Sequence, residues 1–540
     1  MDRAGVETEL KLRVPVRVLR KLREHPAIVR RKHGRARTSK LFSIYFDTPD
    51  FRLARAGIAV RLRRDADDWV QTAKGNASIP SAAGLAQRVE CEWGLGKSRT
   101  PPPLDHAKLA TTPFADVIEK AMRDATLRTI FVTRFDRTTV PLRFADGTTA
   151  TACIDMGTIH AAERSASSGP KCRIAELEIE LASGSEACLF ELARELAEDV
   201  PVQIETRSKA ARGYALVAPA PDRATGAVAL DYAEGASAGG AMASILRNGV
   251  QQIEMNAQTF AGTGDAEAVH QMRVGIRRTR CALALLRGIV DASTLGPLEE
   301  TLRWLGGVLG EVRDLDVFET QTLVALQAEA ARMHDNDPAL DASIDELRAL
   351  ASAQAAAARG TASGAVSSRR YVRLMLDLGH LAATCATAAT RADAGPLAAP
   401  ARTFASGRLA HRHRKLRRAA RGLETSSTAQ RHALRVQAKK MRYVAEFFAP
   451  LFRRKRTREF IAALADLQRE LGAANDATVA ARTASRIAPG QVSSALVAGW
   501  TSARGSKPAK RVERLWRDVA RSKRFWDKSP AAERADAASD

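Results

Sequence analysis

Three charged side chains alternate near the start of the chain, where the segment VETELKLRV contains Glu7, Glu9 and Lys11. Alternate residues of a β-strand share one face, so these two carboxylates and one ammonium group are predicted to project together. Similar rows recur before residue 214. They comprise Arg61 and Arg63, then Arg88, Glu90 and Glu92, and finally Glu176, Glu178 and Glu180.

Such rows could bind a cation and a phosphate chain. Like charges crowded into a dry interior repel one another unless counter-ions are bound. Carboxylate oxygens suit Mg²⁺ or Mn²⁺, and Lys or Arg on neighbouring strands could hold phosphate oxygens. The alternative is that each row is the wet side of an ordinary antiparallel sheet. Four rows in one domain favour a polar-lined β-tunnel, but spacing alone leaves both interpretations open.

The elements that must position these rows are strands. Up to about Tyr214 the apolar residues favour a period of two, as in KLFSIYFDT, GIAVRLRR and RIAELEIEL, which predicts at least six to eight strands. Helices are expected near residues 16–24 and 186–198. The Ala-, Gly- and Pro-rich stretch that follows has no sustained period. We therefore predict a first domain at residues 1–214 and a linker at 215–241.

The second half of the chain is helical and internally repeated. The segments VHQMRVGIRRTR and RHALRVQAKKMR match, with His270 aligned to His432, a separation of 432 − 270 = 162. The downstream motifs LGEVRD and LGAAND keep that separation. Two blocks in one register predict a duplicated helical unit with pseudo-twofold packing at residues 242–526. Residues 527–540 are predicted to be a disordered tail.

Each repeat carries a basic stripe at positions i, i+3, i+7 and i+10 of a helix. The stripes are the solvated faces of amphipathic helices or, because they were kept in both repeats, a binding surface. Their histidines could alternatively bind a metal, but no acidic or cysteine partner recurs at ligand spacing. A third basic segment, RLAHRHRKLRR, carries Arg408, Arg412, Arg414, Lys415, Arg417 and Arg418.

Composition indicates a polyanionic partner. The 540 residues contain 84 Lys and Arg against 61 Asp and Glu, and only 5% are aromatic. Few aromatic residues favour recognition of phosphate charge over recognition of bases, so nucleic acid is an unlikely specific partner. The six cysteines form no C-x-x-C pair, which indicates a reduced, cytoplasmic setting. No apolar signal core or run of membrane-spanning length is apparent, so no membrane partner is expected.

The first domain resembles the CYTH, or triphosphate tunnel metalloenzyme, superfamily. VETELKL matches its E-x-E-x-K signature, and the similarity continues through YFDTPDFRLARAGIAVRLR, QTAKG, QRVECEW, FDRTTV, CIDMGTI, AELEIEL and SKAARGY. The resemblance implies an eight-stranded antiparallel tunnel, dependence on Mg²⁺ or Mn²⁺, and hydrolysis of a triphosphate.

The resemblance also implies roles for individual residues. Glu7, Glu9 and Lys11 are catalytic in this comparison, and the metal ligands are Glu7, Glu9, Glu176 and Glu178, with Glu180 a less certain member of its row. The phosphate-binding groups are Lys11, Arg61, Arg63, Lys74, Arg88, Arg137, Lys209 and Arg212. The resemblance leaves open whether Glu90, Glu92 and Asp155 orient bases or touch metal.

The second half resembles the CHAD domain, a helical module with conserved histidines. The similarity lies in the paired His/Arg helices and in LGEVRDLDV and LGAANDATVA. It implies two four-helix halves around a basic groove that binds inorganic polyphosphate. The groove residues would be His270, Arg273, Arg277, Arg280, His432, Arg435, Lys439 and Arg442. Asp314 and Asp476 would orient basic side chains.

These observations predict a multi-domain α+β protein, with an N-terminal eight-stranded antiparallel β-tunnel, flanking helices and a C-terminal all-α duplicated four-helix-bundle domain. The leading hypothesis is a metal-dependent triphosphatase acting on inorganic tripolyphosphate, tethered to long-chain polyphosphate or its granules in the cytoplasm. The alternatives are a non-catalytic polyphosphate-binding scaffold, an adenylate cyclase, and a nucleoside or thiamine triphosphatase. Sequence leaves the oligomeric state and the preferred metal undetermined.

Overall fold

The computed structural model describes residues 3–76, 81–162, 170–219, 222–333, 338–389, 395–423, 427–505 and 509–527. Apart from its first residue, the predicted tail at 527–540 lies outside these ranges. The chain forms two compact units. The first contains residues 1–223 and 367–384, and the second contains residues 224–366 and 385–540.

A closed antiparallel barrel forms the first unit. Its strands pair in the order β5-β4-β3-β2-β6-β7-β8-β1, and β1 also pairs with β5, which closes the barrel. A short ninth strand extends the pairing of β1. This confirms the predicted eight-stranded tunnel. The strands are β1 (Arg3–Arg13), β2 (Arg37–Asp47), β3 (Ile58–Asp65), β4 (Asp68–Asn76), β5 (Leu85–Lys97), β6 (Arg128–Arg143), β7 (Thr149–Ala161), β8 (Lys171–Ser183) and β9 (Gln203–Ile204).

Alternation gives each strand a polar side and an apolar side. On β1 and β8, Leu10, Leu12, Leu177 and Ile179 are fully buried, and both strands contact helix α6. Burying such side chains contributes about 1.5–3 kcal/mol each, which fixes the charged residues to the inner side. The helices of this part are α1 (Val16–Leu19), α2 (Pro26–Val29), α3 (Arg52–Arg55), α4 (His106–Leu109), α5 (Ala115–Met122), α6 (Glu186–Asp199) and α7 (Lys209–Val217), with a 3₁₀ turn at Leu22–Glu24.

A later helix, α13 (Arg369–Ala388), contributes residues 369–384 to the first unit. Arg194 of α6 forms an ion pair with Asp377 of α13. A Cβ atom added at Gly379 would lie 2.4 Å from the ring of Phe190 and 2.7 Å from Cβ of Ala83. Only glycine allows this approach, so α13 covers Phe190 and the turn before β5.

The second unit is all helical and duplicated, as predicted. Helix α9 begins at 266 and α15 at 428, and α10 begins at 292 and α16 at 454; both pairs are offset by 162 (428 − 266 and 454 − 292). Successive helices α8, α9, α10 and α12 pack together, as do α14, α15, α16 and α17. The bounds are α8 (Ala238–Thr263), α9 (Ala266–Leu286), α10 (Ala292–Val317), α11 (Val324–Ala330), α12 (Pro338–Val366), α14 (Ala401–Ala419), α15 (Thr428–Phe448), α16 (Arg454–Ile487), α17 (Val492–Gly505) and α18 (Ala509–Arg521).

Shorter elements join these helices. A π-helical turn at Phe318–Leu323 connects α10 to α11, and 3₁₀ turns occupy Ala331–Met333, Gly395–Leu397 and Ala449–Leu451. Between α7 and α8 the described residues are irregular, and the linker bounds 215–241 stay a prediction. All six cysteines are free thiols. In the described ranges, no helix is both long enough and apolar enough to traverse a bilayer.

Candidate functional site

The barrel encloses a cavity of about 580 Å³ lined mainly by charged side chains. Its lining comes from strands β1 to β6 and β8 and from the start of α7. Predicted residues that reach it are Glu7, Glu9, Lys11, Arg61, Arg63, Lys74, Arg88, Arg137, Glu178 and Lys209, together with Glu90, Glu92 and Glu180. Glu176 and Arg212 are buried beside the cavity rather than in its lining.

Strand pairing explains how residues distant in sequence meet. Glu9 of β1 lies opposite Glu180 of β8, and Lys11 lies opposite Glu178. Arg137 of β6 is paired in the same way with Asp155 of β7. Directly opposed residues have Cβ atoms about 4.5–5.5 Å apart, close enough for their charged groups to interact.

The first group of carboxylates consists of Glu7, Glu9 and Glu180, each with an oxygen within 4.8 Å of the others'. Each has one basic contact: Lys74 Nζ lies 2.7 Å from Glu7, Lys11 Nζ 3.2 Å from Glu9, and Arg137 Nη1 2.9 Å from Glu180. Burial raises the pKa of Glu180, and Glu178 and Glu7 raise it further against the opposing effect of Arg137. Three hard oxygen donors at this spacing fit a divalent cation, which would relieve their repulsion.

The second group consists of Asp155, Glu176 and Glu178 and is also within metal-ligand spacing. Lys209 contacts all three, with Nζ 2.7 Å from Asp155 and 3.0 Å from Glu178. Arg137 donates two hydrogen bonds to Asp155, at 2.8 and 2.7 Å. Asp155 and Glu176 are 0% exposed. These buried carboxylates are therefore already neutralised by bases, and they fix those bases in position.

The buried bases remain charged because acids surround them. Burial alone would lower the pKa of Lys11, but Glu178 and Glu9 raise it above its ordinary value. Lys209 behaves in the same way, since burial opposes and Asp155, Glu176 and Glu178 together raise its pKa. The tunnel thus offers ammonium groups that are desolvated and held by the protein before any ligand arrives.

Another cluster lies on β3, β4 and β5. Lys74 Nζ is 2.9 Å from Glu90, and Arg63 Nη2 is 3.0 Å from Glu92. Arg61 reaches both carboxylates more loosely, at 3.7 and 3.8 Å. In the structure Glu90 and Glu92 therefore contact bases, and Arg88 lies in the lining opposite Glu7 in the strand register.

Some site residues were missed by the sequence reasoning. Arg37 and Ser39 line the cavity from β2, and Thr72 donates a hydrogen bond of 3.2 Å to Glu92. Tyr45 is a hydrogen-bond partner of Arg61 at 3.4 Å. Alternation on β2 and β4 places these residues inside, but only the barrel register brings Thr72 to Glu92 and Tyr45 to Arg61.

In the helical unit, the structure brings together part of the predicted groove. Burial, together with the charges of Arg277, Arg435 and Arg273 and against the effect of Asp476, lowers the pKa of Lys439 to about 8. Bases of the α9 and α15 stripes therefore lie close enough for their charges to interact. His270 belongs to the same group, since burial and then Arg313, Arg277 and Arg273 lower its pKa against Glu267.

Three predicted groove residues lie differently. Arg442 donates hydrogen bonds to Glu446 and Gln468 at 2.7 and 3.4 Å. Arg280 is exposed, and its charge acts on Lys440. His432 is exposed on α15. The groove assignment of these three residues stays a prediction.

The predicted aspartates lie beside bases, as expected for residues that orient them. Asp314 is 3.9 Å from Arg273, and Asp476 acts on Lys439. Sequence reasoning missed Arg313 and Arg482, whose charges act on Asp314. Arg313 directly precedes Asp314 in the LGEVRD motif, which was the available signal.

Comparison with known proteins agrees with this architecture. Residues 5–214 match the model of the CYTH domain, and residues 244–485 match that of the CHAD domain. An inorganic triphosphatase from Haemophilus influenzae is 32% identical over 177 residues, covering 33% of this chain and 46% of the relative. The matched segment thus spans less than half the length of that relative.

Solved structures are also similar to parts of the chain. The CHAD domain from the plant Ricinus communis is 32% identical with a TM-score of 0.47, covering 56% of this chain and 98% of that one. A putative adenylyl cyclase from Hippeastrum is 16% identical with a TM-score of 0.27, covering 39% of this chain and 95% of that one. By its matches to the two family models, the chain combines a CYTH domain, residues 5–214, with a CHAD domain, residues 244–485.

Proposed function

We propose that the CYTH domain hydrolyses inorganic tripolyphosphate with a divalent cation, Mg²⁺ or Mn²⁺, and that the CHAD domain binds long-chain polyphosphate. The observation that supports the enzymatic part is a closed barrel whose cavity contains three grouped carboxylates beside a row of buried bases. The CYTH match and the triphosphatase relative support a phosphoanhydride hydrolase.

We assign Glu7, Glu9 and Glu180 to the cation that accompanies the substrate. They reach the cavity and have one basic contact each, whereas Glu176 is fully buried and contacts Lys209 and Arg212. Glu176 and Glu178 were also predicted to bind metal, and this assignment stays a prediction, because Lys209 already contacts both carboxylates. When bound, a divalent cation would neutralise phosphate oxygens and lower the pKa of a water molecule.

The chain's own residues would bind and orient the substrate. Lys11 and Lys209 are held at the second acid group, and Arg61, Arg63 and Lys74 lie across the cavity at Glu90 and Glu92. A triphosphate lying between these two sets would meet bases along its length. Fixed guanidinium and ammonium groups stabilise the charge that spreads over the transferred phosphoryl group. Water is the nucleophile in this proposal, so no protein nucleophile is required.

The lining favours an inorganic substrate over a nucleotide. Among the described residues that line the cavity, the aromatic side chains are Tyr45 and Phe135. Both are buried, and Tyr45 stacks on Phe131 at 4.4 Å between ring centroids. Neither ring presents a free face on which a base could stack.

A phosphate-release assay tests the enzymatic proposal. Tripolyphosphate, ATP, thiamine triphosphate and long-chain polyphosphate would be compared with Mg²⁺ and with Mn²⁺, and cyclic nucleotide would be measured in the ATP reaction. We expect tripolyphosphate to have the highest kcat/KM. The substitution Glu9→Gln should lower its turnover by at least about 10³-fold, because an absent ligand charge weakens stabilisation of the transition state.

Glu119→Gln on the exposed face of α5 is the matched control and should retain wild-type turnover. If Glu9→Gln stays active at saturating metal, the ligand assignment is wrong. If no substrate is turned over while polyphosphate is still bound, the protein is a scaffold. Formation of cyclic nucleotide would support the cyclase alternative.

A further inference from the structure

Helix α14 carries a stripe with the spacing of the groove stripes. Arg408, His411, Lys415 and Arg418 occupy positions i, i+3, i+7 and i+10, and Arg412 adjoins them. At about 100° per residue, all five lie within an arc of about 120°. Residues 402–421 contain no Asp or Glu. The cations of this face therefore have no counter-charge on their own helix.

Buried side chains beside the stripe fix the orientation of α14. Leu409 and Leu416 are buried, and His413 packs edge-on against Trp526 at 5.4 Å between ring centroids. Phe404 lies within the arc of the stripe, where Cζ of Arg408 is 5.0 Å from its ring centroid. His411, Lys415 and Arg418 are exposed as a result. The stripe cannot rotate away without exposing these buried side chains.

Bases from α9 and α15 extend this face. Burial and the charges of Arg412 and Arg280 lower the pKa of Lys440. Burial and Arg412 likewise lower the pKa of Arg408. Arg412 is only 9% exposed, yet its side chain forms no ion pair or hydrogen bond with any residue in the described ranges. A guanidinium this buried without an acidic partner is costly unless an anion binds it.

Duplication does not account for the stripe. Subtracting the repeat offset of 162 from 408, 411, 415 and 418 gives Leu246, Gly249, Ile253 and Asn256 of α8, all buried and uncharged. The first repeat therefore has no equivalent face. This basic surface belongs to the second half alone.

We propose that Arg408, His411, Arg412, Lys415 and Arg418, with Arg280 and Lys440, form a second binding surface for inorganic polyphosphate, here called the α14 surface. The proposal shares its ligand with the proposed function but involves a different face. Neighbouring phosphates of this polymer share an oxygen, so charge is denser along it than along a nucleic acid, where a sugar intervenes. Cations recur here at every helical turn, about 5.4 Å apart, so a chain with phosphates at closer intervals would place an anion near each of them.

A second surface would make binding depend on chain length. A long polymer that reaches both the groove and the α14 surface gains from effective concentration, whereas a short chain occupies one of them. His411 has the one aromatic ring among the five α14 residues of this surface, and the ring of Phe404 within the same arc is buried, so little is available for stacking on bases. Recognition would therefore depend on charge and would weaken steeply with salt.

The test compares three variants of the full-length protein, using fluorescently labelled polyphosphate of long and short chain length at several salt concentrations. Arg408→Gln/Lys415→Gln/Arg418→Gln alters the α14 surface. Arg511→Gln/Arg514→Gln/Arg517→Gln on α18 removes the same charge where Glu470 and Glu513 already pair two of the bases. Arg273→Glu/Arg435→Glu alters the groove. Circular dichroism and thermal unfolding verify that each variant is folded.

We expect the α14 variant to bind long chains at least about tenfold more weakly and to reduce the slope of log K against log salt by about 2, or 0.7 for each of three contacts. Short-chain binding should change less, and the α18 control should match the wild type. Equal long-chain affinity for the α14 variant and its control would overturn the proposal.

The remaining outcomes separate this inference from the proposed function. If only the groove variant loses binding, the groove binds polyphosphate and the α14 surface does not. If only the α14 variant loses binding, the α14 surface binds polyphosphate and the groove does not. Single-stranded DNA with the same number of phosphates serves as the competitor. If it binds the α14 surface as tightly as polyphosphate does, the partner is a nucleic acid and the proposal is wrong.

Discussion

The barrel and the helical unit both contain clusters of basic side chains, but acidic residues surround the bases of the barrel, whereas other bases surround those of the helical unit. In the barrel, Lys209 contacts three carboxylates, and its pKa is raised although it is buried. In the helical unit, Lys439 is surrounded by Arg277, Arg435 and Arg273, and burial with these charges lowers its pKa to about 8. Acidic residues of the protein neutralise the bases of the barrel, whereas a bound anion would neutralise those of the helical unit.

This difference indicates how each site would handle phosphate. In the barrel, a triphosphate would approach carboxylates as well as bases, and under the proposed function a divalent cation would offset their repulsion. The fixed ion pairs orient the bases for one short ligand. On the helices, unpaired cations would bind any phosphate chain by releasing counter-ions, with little dependence on its ends.

The largest expected effect is on stability of the barrel. Lys209→Met should lower the free energy of unfolding of the first unit by about 3–5 kcal/mol, because it leaves buried carboxylates without their cation. Urea unfolding followed by amide exchange in β1 and β8 would measure it. Exposed Lys40→Met is the control and should change stability by less than about 0.5 kcal/mol. A loss below 1 kcal/mol for Lys209→Met would contradict the account of a preformed buried network.

A smaller effect is expected on polymer binding by the groove. Arg273→Glu/Arg435→Glu should weaken binding of long-chain polyphosphate by at least about 100-fold, because like charges then face the ligand. Tripolyphosphate turnover in the barrel should stay within twofold of wild type. Filter-retention and phosphate-release assays would measure the two. Unchanged retention at moderate salt would refute the groove assignment.

The depressed pKa of Lys439 predicts a pH dependence for the same groove. An anion binds the charged lysine better than the neutral one, so affinity should fall as pH rises through about 8. The decrease between pH 7 and 9 should be about tenfold at most, as one proton is involved. Lys439→Arg should bind equally at both pH values, because a guanidinium stays charged. A wild-type affinity independent of pH would mean that Lys439 does not touch the polymer.

The smallest expected effect is a gain in the free energy of unfolding of the helical unit, opposite in sign to the loss expected for the barrel. Lys439→Met should stabilise the helical unit by about 1 kcal/mol at pH 7, after allowing for solvent screening of a partly exposed group. Above pH 8 the unfolded chain keeps the Lys439 proton that the folded chain loses, so the free energy of unfolding of the wild type rises with pH. The stability advantage of the variant therefore shrinks there. Lys455→Met, on the exposed start of α16, is the control in the thermal unfolding measurement. Destabilisation by Lys439→Met would contradict the repulsive environment.

The regular features of both domains were predictable because they depend on local periodicity. Alternation of Glu7, Glu9 and Lys11 with Leu10 and Leu12 set the two sides of β1, and burial of the leucines made the charged side internal. The duplicated helices followed from the fixed offset of 162 between two separate motifs. These signals concern neighbouring residues and need no knowledge of tertiary contacts.

Groupings across strands and helices were not predictable from spacing. The sequence placed Glu176, Glu178 and Glu180 in one row, yet barrel closure brings Glu180 to Glu7 and Glu9 and leaves the others with Asp155. That division depends on the stagger between β1 and β8. Likewise, Arg280 shares a stripe with Arg277 in sequence, but the crossing of α9 and α15 brings it to Lys440.

Residues 369–384 of α13 belong to the barrel unit although they lie in the second half of the sequence, and this limits where the chain can be truncated. The chain passes between its two compact units after residues 223, 366 and 384, so a truncation at the linker removes a helix of the barrel unit. A recombinant fragment of residues 1–223 would leave Phe190 and Ala83 uncovered and would be prone to aggregate. The carbonyl of Gly84, in the turn after Ala83, accepts a hydrogen bond of 2.9 Å from the Lys11 amide, so loss of this cover would also disturb the backbone that positions Lys11 in the cavity.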